Sequence, residues 1–154
     1  MKATYQERLW VPLRWWAQAT MLVATAWLAL LVAVPGWVTT LVTALIVALT
    51  AALLTWIGSA RIEVSPTHVR AGSARLPVQF VASATALDAA ATRRRMGPGA
   101  DARAWLVTRP YLAESVEITL QDPADPTPYW LVSTRRPQDL VAAIEAARGT
   151  HAAR

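Results

Sequence analysis

Residues 15–60 read WWAQATMLVATAWLALLVAVPGWVTTLVTALIVALTAALLTWIGSA, a run of 46 residues without one Asp, Glu, Lys or Arg. A globular surface of that extent carries ionisable groups, so a simple soluble protein is excluded. Pro35-Gly36 is the turn signal inside the run and divides it into spans of about 13–34 and 37–57, or 22 and 21 residues. Crossing about 30 Å of hydrocarbon takes roughly 20 residues at 1.5 Å each, so both are long enough. A cleaved leader has one short apolar core before a polar mature chain. Here a second full span follows at once, and the expectation is a retained transmembrane helical hairpin over residues 1–60.

The flanks agree with that expectation. Trp10, Trp15 and Trp16 open the first span, Trp56 closes the second, and Trp37 marks the opposite interface. An indole at such a position buries its ring and keeps its N–H wet. Pro12 suits a first helical turn, where the missing N–H would be unpaired anyway. Lys2, Arg8 and Arg14 precede the hairpin and Arg61, Arg70 and Arg75 follow it, whereas its turn is uncharged. Basic flanks stay inside, which predicts a multi-pass plasma-membrane protein with both termini cytoplasmic.

Within the second span Thr40, Ala44, Ala48 and Ala52 recur every fourth position. Small residues at that spacing let helix backbones approach closely in lipid. The stripe packs either on the first helix, through Ala17, Thr20 and Ala24, or on a membrane-protein partner or second copy of the chain. Gln18 points toward a partner, because an amide in hydrocarbon needs one. Neither span carries a carboxylate, His or Lys to relay protons or bind ions, which argues against a transporter or channel acting alone.

The full chain of 154 residues allows one ordinary domain plus an appendage. It has no cysteine, which excludes a disulfide framework and cysteine-based metal or redox chemistry. The net charge of +5 is spread along the chain and does not demand nucleic acid.

From residue 61 the pattern changes to short alternating segments. Ile62 and Val64, Val69 and Ala71, then Leu76, Val78 and Phe80 show period two, with Ser65-Pro66-Thr67 and Gly72 as turns. Residues 105–109, Val116-Ile118-Leu120 and residues 129–134 continue the series. Residues 82–95 fit strand or helix, since their alanines favour helix and their neighbours favour strand.

The last element is a helix over about 137–148, with Pro137 in its first turn, Asp139 at the positive dipole end, Arg148 in the last turn and Gly149 as a left-handed cap. Leu140, Val141, Ile144 and Ala147 share one face, which must be buried on the sheet. The class expected is an α+β membrane protein: a two-helix transmembrane hairpin, then a mostly antiparallel cytoplasmic β domain at 61–154 with a C-terminal helix. Strands closed by one C-terminal helix follow the order of a pleckstrin-homology-like barrel, a likeness of architecture only.

Three segments carry a family likeness: Tyr5-Gln6-Glu7-Arg8-Leu9-Trp10-Val11-Pro12, Ala74-Arg75-Leu76-Pro77, and the stretch from Asp122-Pro123 to Arg135-Arg136-Pro137. In them the chain resembles the actinobacterial membrane proteins grouped as domain of unknown function 3093. The resemblance implies a small two-span plasma-membrane protein with a cytoplasmic tail. It supplies no activity, cofactor or catalytic residue.

Candidate chemistry is sparse. Ser65, His68 and Asp88 include the residue types of a nucleophilic triad, but Ser65 and His68 flank a turn without a glycine elbow or oxyanion donors. Asp122 and Asp125 offer oxygens to a hard cation that wants six to eight, and the ordinary account is a proline-stiffened turn. Arg93, Arg94 and Arg95 beside Met96-Gly97-Pro98-Gly99 are the residues chosen for contact with anionic lipid, against a solvated loop as the plain alternative. These observations lead to the expectation of a non-enzymatic module without cofactor or metal that binds a protein or lipid headgroups. The alternative is an accessory subunit packed through its spans; a membrane-associated enzyme comes last.

Overall fold

The computed structural model describes residues 4–152, so Lys2 of the basic flank lies outside the described residues. The chain divides into two compact units, residues 10–59 and a second formed by the residues up to Leu9 together with those from Ala60 onward.

The first unit is two helices, α1 (Leu13–Ala33) and α2 (Gly36–Ile57). Pro12 and Pro35 are their N-caps, and Val34 N–H donates to Leu30 O at 3.0 Å to close α1. The less exposed positions recur at intervals of three and four: Ala19, Val23, Ala26 and Leu30 on α1, Thr39, Thr43, Ile46, Thr50 and Leu54 on α2. Thr39 Oγ1 donates across to Leu30 O at 3.3 Å. Thr40, Ala44, Ala48 and Ala52 are all exposed, as is Ala17. Packing of that stripe on the first helix is therefore corrected: α2 turns its threonine-bearing face to α1 and leaves the alanines outside.

The second unit holds two sheets. In the first, β1 (Tyr5–Arg8), β2 (Arg61–Val64), β3 (His68–Ala71) and β4 (Ala74–Pro77) form an antiparallel meander. Arg8 stands opposite Arg61 and Tyr5 opposite Val64. The N-terminal residues thus belong to the β unit, which corrects the boundary drawn at residue 60 and makes the two helices an insertion between paired strands. Gly72 opens the two-residue turn from β3 to β4 with φ 62°, a conformation that glycine adopts without steric cost.

A 3-10 turn at Val78–Phe80 leads to the second sheet, which contains β5 (Val81–Leu87), β6 (Trp105–Val107), β7 (Ser115–Leu120) and β8 (Tyr129–Ser133) in the order β5-β7-β8-β6. Val78 and Phe80, read as continuing a strand, lie in that turn. Residues 82–95 are strand and then helix: α3 (Ala89–Met96) follows β5, with Asp88 Oδ1 accepting from Ala91 N–H at 2.7 Å as its cap. β6 runs parallel to β8, the exception to an otherwise antiparallel unit.

The final helix, α4, spans Pro137–Ala152. Among described residues only Gly72 has positive φ, so Gly149 does not form the expected left-handed cap, and Thr150 Oγ1 donates to Ala146 O at 2.9 Å as the helix continues. Leu140 and Ile144 are fully buried beside Ile62, Val64, Val69, Val116, Ile118 and Val132. This core fixes α4 against β2, β5 and β7 and sets the strand ends on which the site is built.

Candidate functional site

β1 places Glu7 beside the segment between β8 and α4. Glu7 Oε2 accepts from Tyr5 OH at 2.8 Å and from Thr134 Oγ1, and Oε1 accepts from Arg135 N–H at 3.0 Å. Thr134 Oγ1 in turn accepts from Arg136 N–H at 3.0 Å, and Thr134 N–H donates to Glu114 O at 3.3 Å. Arg135 Nη1 reaches Arg8 O at 3.4 Å. Nearby, buried Tyr111 donates its OH to Leu9 O at 2.7 Å, and Arg109 N–H donates to Ser133 Oγ at 3.1 Å. One carboxylate therefore ties the N-terminal strand to the β8–α4 junction and gathers arginines from distant parts of the chain.

Burial sets the titration here. It pushes the Tyr5 phenol up to about 12; the Glu7 charge adds to the rise, while the Thr134 hydrogen bond and the Arg136 charge oppose it. Burial also raises Tyr111, against the charges of Arg109 and Arg135. For Tyr5 the neutral form is favoured in the folded state, so its contribution is complete below pH 10, the ordinary value, and is lost as pH rises toward about 12. A tyrosinate absorbance titration should show one phenol ionising last, and Tyr5→Phe should remove that component.

The carboxylate matters more. Glu7→Ala leaves the Thr134 hydroxyl and the Arg135 amide without their acceptor, and hydrogen bonds to a charged group contribute about 1.5–3 kcal/mol. We expect a local loss of about 2–3 kcal/mol, a roughly 30- to 150-fold faster exchange of the amides of β1 and residues 133–136, at tenfold per 1.4 kcal/mol. Hydrogen exchange of the full chain in mild detergent measures it.

The residues chosen from sequence do not act together. Arg93 and Arg94 are exposed in the last turn of α3. Arg95 is engaged: its Nε lies 2.6 Å from Glu117 Oε2, its Nη2 donates to Oε1 at 2.7 Å, and its guanidinium sits 4.0 Å from the centre of the Tyr129 ring. Of the triplet, two side chains are exposed and the third is held by Glu117 and Tyr129.

Ser65 Oγ lies 2.9 Å from His68 Nδ1 but also donates to His68 O at 2.9 Å and accepts from His68 N–H, which are the bonds of a tight turn. Asp88 is occupied as the α3 cap. Asp122 and Asp125 accept from the amides of Ala124 and Thr127, each at 2.9 Å, as turn-forming side chains. Among the described residues no group of three or more His, Asp or Glu is placed to hold a metal ion.

A groove of about 400 Å³ runs between α1 and α2, lined by Trp16, Val23, Trp27, Thr43, Val47 and Ala51 among others. Its walls are mostly apolar, with Thr20, Thr43 and Thr50 among the lining residues.

The arrangement defines a class: a β domain closed by a C-terminal helix, carrying a long apolar helical pair inserted between its first two strands. The family model for proteins of unknown function DUF3093 matches residues 4–144, and the chain belongs to that family. No curated protein and no solved structure matches it. Two of the three segments that carry the resemblance, Tyr5–Pro12 and the stretch ending in Arg135-Arg136-Pro137, are joined by Glu7. Periodicity missed this site because its members stand 127 and 128 positions apart.

Proposed function

We propose that the chain is an integral plasma-membrane protein in which α1 and α2 cross the bilayer, both termini are cytoplasmic, and the β unit is a non-enzymatic binding module held at the inner leaflet. The observation that carries this reading is the nakedness of the helices: they are long and apolar enough to span, and almost none of their residues is buried within the protein. Leu13 is 82% and Val32 92% exposed. Apolar surface on that scale requires an apolar solvent, and a helix satisfies its own backbone there.

The module reading is supported by architecture. A four-strand meander, the meander β5-β7-β8 and a C-terminal helix follow the pleckstrin-homology-like order, with the helical insertion and the parallel β6 as departures. Its ligand on this reading is an anionic headgroup or a protein. Alkaline carbonate washing followed by flotation tests the membrane part: the full chain should stay with the lipid, and release into the wash would refute it.

A second reading, an accessory subunit recruited through α2, is favoured by the outward placement of Thr40, Ala44, Ala48 and Ala52. On that account a membrane-protein partner copurifies stoichiometrically in mild detergent and is lost from Ala44→Leu/Ala48→Leu.

A further inference from the structure

We propose that Arg8, Arg61, Arg135 and Arg136 form a binding site for the phosphate groups of anionic membrane lipids in the inner leaflet. The inference rests on the membrane reading above and names the ligand of the module and the residues that take it.

Position is the first argument. Arg8 and Arg61 face each other in the β1–β2 ladder, at the ends of the strands that run into the helices. Only residues 9–12 separate Arg8 from α1, and residues 58–60 separate α2 from Arg61. At no more than about 3.6 Å per residue, the chain holds these two arginines within roughly 18 and 14 Å of the helix ends, whatever the orientation of the β unit. That reach takes in the headgroup layer, whose field extends about 8 Å further into solution.

Charge is the second. Arg135 is bound to the same place by its bond to Arg8 O and by its amide on Glu7, and Arg136 by its amide on Thr134 Oγ1. All four arginines are exposed. Arg8 and Arg135 each have a further interaction within the chain. Of the carboxylates nearby, Glu7 is occupied by Tyr5, Thr134 and the Arg135 amide, and Glu63 stands opposite Arg70 in the β2–β3 register.

Chemistry is the third. Guanidinium groups present paired N–H donors that match phosphate oxygens two at a time. Arg8 and Arg61 on paired strand ends, with Arg135 and Arg136 on the adjoining segment between β8 and α4, suit a surface of phosphates. Arg93 and Arg94, two of the three residues chosen from sequence, lie more than thirty positions beyond the second span.

The test uses the full chain in mild detergent mixed with phosphatidylglycerol and phosphatidylcholine, with bound lipid counted by native mass spectrometry. Wild type should retain phosphatidylglycerol about tenfold over phosphatidylcholine, and Arg61→Gln/Arg135→Gln/Arg136→Gln should lose most of that preference. Arg93→Gln/Arg94→Gln should keep it, and unchanged amide exchange in the β unit certifies that the triple variant is folded. Equal preference in wild type and the triple variant overturns the site, as does loss confined to the Arg93/Arg94 variant. Displacement of the lipid by inorganic phosphate at constant ionic strength overturns the lipid as its source, and capture of an acidic protein segment in place of lipid overturns the ligand class. Failure of the membrane reading is separate, since it is seen as release of the chain by carbonate.

Discussion

Replacing residues 10–59 by Asn-Gly should give a soluble, monomeric chain that unfolds cooperatively, whereas residues 61–154 alone should not fold. Leu9 N–H donates to Ala60 O at 3.0 Å and Arg8 pairs with Arg61, so two residues are enough to close the β1–β2 hairpin. Asn-Gly supplies the two left-handed positions that a type I′ turn requires. Residues 61–154 lack β1, and with it Leu9, whose exposure is 0%, and the Glu7 bonds to Thr134 and Arg135. Losing a buried leucine costs about 2–5 kcal/mol. Adding the roughly 2–3 kcal/mol assigned to Glu7 brings the loss to the scale of an entire domain's stability, about 5–15 kcal/mol. Sedimentation and thermal unfolding of the two chains side by side read the difference. Equal cooperativity would mean that β1 is an ornament of the sheet and not part of its core.

Ile144→Asp carries the second large effect. Ile144 is 0% exposed and lies on the α4 face that also buries Leu140 and Ala147. A carboxylate there is desolvated without a partner, which costs several kcal/mol even after it protonates. In the shortened soluble chain this should abolish the cooperative transition at neutral pH. Ala142→Asp, on the exposed side of the same helix, should cost well under 1 kcal/mol, close to the difference in helix propensity. If both variants melt like the parent, α4 is not packed on the sheets.

How much of this the sequence disclosed depended on how local the determining physics was. Absence of charge over residues 15–60 is a property of each residue in turn, and the helices end within one residue of where it placed them. Ile62, Val64, Val69 and Val116 alternate because one face of a strand meets a core, so those strands were legible too. β1 was not. Its half-buried positions are Tyr5 and Glu7, and a carboxylate turned inward reads as polar unless its partners, Thr134 and the Arg135 amide, are known.

The same limit explains the arginines. Arg95 looked like its neighbours until Glu117 and Tyr129 were seen to hold it, and Arg61 and Arg135 looked unrelated until β1 brought Arg8 between them. The direction of β6 and the run of α4 through Gly149 likewise follow from tertiary pairing and helix continuity, which three strand residues and one glycine do not announce.

The central claim is that an apolar hairpin crosses the membrane from within a cytoplasmic β domain, and cysteine accessibility tests it most directly. The chain has no cysteine, so a single one is unambiguous. A Cβ at Gly36 meets nothing within 4 Å, and Ser73 is exposed at the β3–β4 turn, so Gly36→Cys and Ser73→Cys should both be tolerated. With an impermeant thiol reagent on intact cells, position 36 should label and position 73 should label only after the membrane is opened. Labelling of position 73 in intact cells would contradict the account.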